Sequence, residues 1–126
     1  MFRCVLTATL SAAIVLPLAA QTARPFPANA LRGALQVTQA PELQLNSQPA
    51  RLSPGARIRG TDNLLQLSAS LSGQSLLVHY TQDPSGLVHE VWILTPDEAA
   101  RKPWPSTAAE AQRWEFNPAA QTWTRR

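Results

Sequence analysis

His79 and His89 are the residues of this chain best placed for acid–base or metal chemistry. They fall in Ser75–Leu94, SLLVHYTQDPSGLVHEVWIL, which reads as one β-hairpin. A bulge at Gly86 would set Asp83 opposite Leu87, Thr81 opposite His89 and His79 opposite Val91. The two imidazoles would then lie diagonally on one face, roughly 7 Å apart, within reach of a shared ion. A symmetric loop would instead set His79 opposite Glu90 and Tyr80 opposite His89. A metal site needs a third ligand, and only Asp83 or Glu90 offers one. His79 could also serve as a general base oriented by either carboxylate. No Gly-x-Ser-x-Gly elbow supplies a nucleophile. The plainer account is two half-exposed strand histidines, so no catalytic residue, metal or cofactor is expected.

Aromatic and cationic side chains come next. Trp92, Trp104, Trp114 and Trp123 are many for so short a chain. With Tyr80 they could build a stacking surface for a glycan or another small ligand. The competing account is that they form the core of a small domain. Trp104, set between Pro103 and Pro105, is the best candidate for exposure. Arg57 and Arg59 alternate on an expected edge strand and could meet an acidic partner, although charges on an edge also guard against aggregation. Trp104, Tyr80, Arg57 and Arg59 are therefore the candidate binding residues.

The elements that would position these groups are β-rich. Leu76–Tyr80 and Leu87–Leu94 are apolar, β-branched and aromatic, as strands require. Asp83-Pro84-Ser85-Gly86 carries the chemistry of a type I turn. Both faces of the hairpin are apolar, which implies cover on two sides or closure into a small barrel. Leu64–Leu71 fits helical and strand spacing alike and is taken as a strand and loop. Thr95-Pro96-Asp97-Glu98 opens a short helix with a capping box. A second helix is expected from Thr107 to about Arg113, then a hairpin in which Trp114, Phe116 and Trp123 share a face. The fold class is mainly β (small α+β): a compact antiparallel sheet or small barrel built on the hairpin 76–94, with one or two short helices and a C-terminal hairpin.

The chain has 126 residues, enough for one domain. Met1-Phe2-Arg3, an apolar run from Val5 to Leu18 and Leu18-Ala19-Ala20 make the pattern of a cleavable signal peptide over 1–20. The run is shorter than the ~20 residues of a bilayer span, so no stable membrane span is expected after cleavage. Cys4, the single cysteine, lies inside that segment. Disulfide scaffolds and thiolate sites are thereby set aside. Residues 21–50, with four prolines, read as a flexible segment, and 51–126 as the β-rich domain. The net charge of +3 is spread without a basic run, which argues against a nucleic-acid partner.

The runs PGARIRGTDN and LSGQSLLVHYTQDPSGLVHEVWILTPDEA, within Leu52–Ala99, resemble short uncharacterised exported (periplasmic) proteins of Gram-negative bacteria. The resemblance implies export and a small domain, and no activity. Three functions compete, in this order. The first is a non-enzymatic interaction or accessory protein of the cell envelope, with an envelope protein as partner. The second is a small ligand- or glycan-binding module using an aromatic surface. The third is an enzyme or metal site using His79 and His89. Localisation is expected to be periplasmic or secreted.

Overall fold

Turn chemistry divides the chain into short strands, and five of them close on themselves. The computed structural model describes residues 24–126; the expected signal peptide and its cleavage after Ala20 lie outside the described residues. β1 (Leu31–Gln39), β2 (Glu42–Leu45) and β3 (Gln48–Arg59) form an antiparallel meander. β4 (Leu65–Gln66) adds a short edge to β3. β5 (Ser75–Gln82) returns to pair with β1, and β6 (Val88–Ile93) follows as its hairpin partner. β6 then pairs with β3 in parallel. The ring β1-β2-β3-β6-β5 is thus complete. Three meandering strands with a fourth returning beside the first make a Greek key. A small Greek-key barrel of five strands is the OB-type architecture.

Alternation along each strand fills the barrel. Leu31, Leu35 and Val37 of β1, Leu43 and Leu45 of β2, Leu52 and Ile58 of β3, Val78 and Tyr80 of β5, and Val88 and Val91 of β6 all point inward. Period 2 makes this possible, because every second side chain faces the same side. Leu71 comes from a 3-10 turn, Ser68–Leu71, and joins the same core.

A second core covers the outer face of β1, β5 and β6. It gathers Phe26 and Ala30 from the N-terminal segment with Trp92, Leu94, Trp104 and Trp123. The hairpin therefore carries an apolar face on each side because it is covered on both. Helix α1 (Pro96–Ala99) starts at Thr95 with the expected capping box: Thr95 Oγ1 accepts from the Glu98 amide, and the Glu98 carboxylate accepts from the Thr95 amide. Helix α2 (Ala108–Arg113) is capped by Thr107. β7 (Glu115–Asn117) and β8 (Thr122–Thr124) form the C-terminal hairpin, with Phe116 facing Trp123. The mainly β fold with two short helices and a terminal hairpin is as expected. Among the described residues no helix is long and apolar enough to cross a membrane.

Three expectations change. The segment read as flexible over 21–50 supplies β1, β2 and the start of β3 from Leu31 onward. Its prolines fall in turns, at strand margins or at the strand position Pro49, and its apolar residues alternate, so pairing with β3 and β5 buries what the segment could not bury alone. The turn register is as expected near Gly86, with Asp83 bonded to Leu87. Beyond it, however, His89 and Glu90 together oppose Thr81, and His79 faces Trp92 rather than Val91 or Glu90. That extra residue is a bulge, which shifts all later pairs by one. Finally, Leu64–Leu71 is a two-residue strand followed by a 3-10 turn, and Leu64, Leu65 and Leu67 are 64%, 63% and 78% exposed.

Candidate functional site

The two histidines meet different surroundings: His79 is covered and His89 is exposed. His79 is 1% exposed on the outer face of β5. Its ring stacks on Trp104 at 4.0 Å and meets the edge of Phe26 at 4.4 Å. Arg32 Nε donates to its Nε2 at 3.2 Å. The ring hydrogen then belongs to Nδ1, which is buried and has no partner among the described residues. Burial, followed by the charges of Arg32, Arg24 and Arg101, pushes the imidazole down to about 2. His79 is thus a neutral core residue. His89, on the exposed side of the bulge, has Ser53 as its partner instead. Among the described residues no group of three His, Cys, Asp or Glu gathers as a metal site would require.

Trp104 is also interior, 6% exposed, with Nε1 donating to the Ala30 carbonyl at 2.9 Å. Pro103-Trp104-Pro105 is a buckle folded onto the barrel. Tyr80 is 4% exposed and points into the barrel core, where burial raises its hydroxyl above the usual value. Neither offers a face to a sugar. Arg57 is exposed and Arg59 half-buried on β3. Arg57 stands across the ladder from Glu90, and Arg59 from Leu65 on one side and Trp92 on the other.

Around the second core the polar groups serve as a clasp. Arg24 forms a two-pronged pair with Glu98, Nε to Oε2 at 2.9 Å and Nη2 to Oε1. It also donates to the carbonyls of Gly60 and Ile93. Burial alone would raise the Glu98 carboxyl, but Arg24 and the Thr95 amide outweigh it and hold the group below its ordinary value. Arg32 donates to the carbonyls of Glu98, Ala99 and Arg101, satisfying acceptors that the end of α1 leaves open. These donors are committed to holding the N-terminal segment, β1 and α1 together.

An open concavity lies beside β3. A groove of about 760 Å³ runs between the β1–β2 turn, β3 and the β5–β6 turn. Pro41, Arg51, Ser53, Ile58, Leu67 and Leu87 line it. The β3 wall of the groove includes a stretch where the ladder to β6 is irregular. Leu52 pairs with Val88 and Arg57 with Glu90, so four residues of β3 face one residue of β6. The extra residues of β3 bulge there, and the His89 ring lies against Gly55. The lining has no aromatic side chain and no carboxylate, and Arg51 is its one charged member. Arg51 meets Glu42 at 3.5 Å, but both side chains are more than half exposed, and such a pair is readily exchanged for another carboxylate. Leu64, Leu65 and Leu67 extend the apolar surface, and β4 leaves one side without a strand partner among the described residues.

Comparison with known proteins adds no assignment. No protein-family model matches the chain, and no curated protein or solved structure matches it. In OB-type barrels the second and third strands and the loops after the first and fourth strands carry the ligand. The likeness is one of architecture, which by itself names no ligand. Sequence reasoning missed the groove because its walls come from segments far apart in the chain, the β1–β2 turn, β3, residues 66–68 and Leu87. The run of leucines at 64, 65 and 67 was visible, but their exposure was not.

Proposed function

We propose that this protein is an exported interaction protein of the cell envelope, and that its groove receives an extended segment of a partner protein rich in apolar and acidic side chains. The observation that carries the reading is the groove itself, open between two turns and lined by the exposed Leu67, with Leu64 and Leu65 exposed nearby in sequence at a free strand edge. Monomeric soluble proteins seldom leave such a surface bare. An edge strand adds main-chain hydrogen bonds to an extended partner, and pockets beside it select side chains. Arg51, the one charged residue of the lining, favours carboxylates on that partner. A glycan surface finds less support, since Trp104 and Tyr80 are interior and no aromatic ring lines the groove. Export rests on the pattern of residues 1–20.

Two synthetic octapeptides test the reading, one alternating Leu with Glu and one alternating Leu with Lys. Fluorescence anisotropy should show the Leu/Glu peptide binding at least tenfold tighter, a difference of about 1.4 kcal/mol. Leu67→Asp should weaken it by a similar factor, and rising salt should weaken it further. Equal affinity for both peptides, or binding untouched by Leu67→Asp, would overturn the proposal.

A further inference from the structure

The irregular stretch between β3 and β6 sets a hydroxyl beside an imidazole. Leu52 and Val88 are partners in the parallel ladder and both point into the barrel. The next residue on each strand must then point outward, on the same side. Those residues are Ser53 and His89. Ser53 Oγ lies 3.1 Å from His89 Nδ1. Ser53 is 7% exposed overall and lines the groove, while His89 is exposed. A hydroxyl nucleophile needs a base within hydrogen-bond reach and an approach path for substrate. The contact meets the first condition, Ser53 is among the residues lining the groove, and no helix or capping duty accounts for this hydroxyl.

We propose that Ser53 and His89 form a nucleophile–base pair, and that the groove takes the apolar acyl part of a carboxylic ester. Ser53 Oγ attacks the acyl carbonyl while its proton passes to His89 Nδ1. The bond from the acyl carbon to the alcohol oxygen breaks, and His89 returns the proton to that departing alkoxide. Water, deprotonated by the same nitrogen, then attacks the acyl-serine, releasing the acid and restoring Ser53. Ala56, Leu67 and Leu87, the less buried apolar residues of the lining, give the acyl chain its wall. Between Leu52 and Arg57 the residues that carry a main-chain N–H are Ser53, Gly55 and Ala56, since Pro54 has none.

The proposal rests on the groove as a ligand site, but a small probe tests it independently of any peptide. The full chain is treated with an alkyl fluorophosphonate, and the modified residue is located by peptide mass. The expected result is labelling at Ser53, lost in Ser53→Ala and slowed at least tenfold in His89→Gln. Hydrolysis of p-nitrophenyl octanoate should exceed that of the acetate, and Leu67→Asp should remove the preference. Tryptophan fluorescence establishes that each variant is folded. Folded wild-type protein that takes no label at Ser53 would overturn the proposal. So would labelling at an unchanged rate in His89→Gln. Failure of the Leu/Glu peptide to bind, with labelling intact, would remove the peptide reading and leave the serine.

Discussion

His79 was the most attractive chemical group of the sequence and is among the most deeply buried side chains of the fold. Its pKa, lowered from 6.5 to about 2, has a consequence for stability. Between those values the unfolded chain binds a proton that the folded chain refuses. Stability therefore rises with pH across that window and is independent of this group above it, with a slope of about 1.4 kcal/mol per unit for one proton. Glu98 acts in the same direction at lower pH. Its folded pKa is depressed, so its contribution is present above the ordinary carboxylate range and is lost as pH falls through the folded value. Urea unfolding from pH 7 to 4 should show the His79 slope, and a folded His79→Gln variant should lose about one proton of it. Glu98→Gln leaves Arg24 without its counter-charge in a nearly closed site, and should cost about 3 kcal/mol at pH 7. Trp104→Ala removes the ring that stacks on His79 and touches Phe26, Phe116 and Trp123; the cost should be about 3–5 kcal/mol by the same denaturation measurement.

At the scale of elements, the β5–β6 hairpin shows local and distant forces acting in turn. Asp83 accepts from the amides of Ser85 and Leu87 through one carboxylate oxygen, at 2.9 Å each. Gly86 sits at φ +83, where a side chain is strained. Gly86→Ala should therefore destabilise the protein by about 1 kcal/mol, read as a shift of the urea midpoint with unchanged slope. The bulge at His89 and Glu90 is not set by the turn. It lies where β6 must also meet β3, and it lets Trp92 face outward to the second core while Val88 and Val91 stay inside. The leucines near β4 show the opposite outcome. Their spacing suits a strand, but no layer covers them, and only Leu71 is buried.

At the scale of the molecule, two covers share one barrel wall. The inner core is closed by strands from both halves of the chain, and the outer one by the two ends of the described chain meeting over His79 and Trp92. A chain starting at Arg51 would lack β1, β2 and the Phe26 contacts. It should show no cooperative unfolding by circular dichroism, whereas a chain starting at Gln21 should.

What the sequence by itself determined is the part encoded within a few neighbouring residues. The Asp83–Gly86 turn, the Thr95 capping box, the second short helix and the Phe116–Trp123 hairpin rest on local φ preferences and short hydrogen bonds. Apolar alternation carried the mainly β class and the need to cover both faces of the hairpin. Tertiary structure alone decided that the Pro-containing segment joins the barrel, that His79 is interior, and that Ser53 meets His89 beside a groove. Each of these depends on which strand lies next to which, and the parallel pairing of β3 with β6 joins residues more than 30 apart. Such pairing is selected by the burial of the whole core and leaves no mark in the residues that flank it.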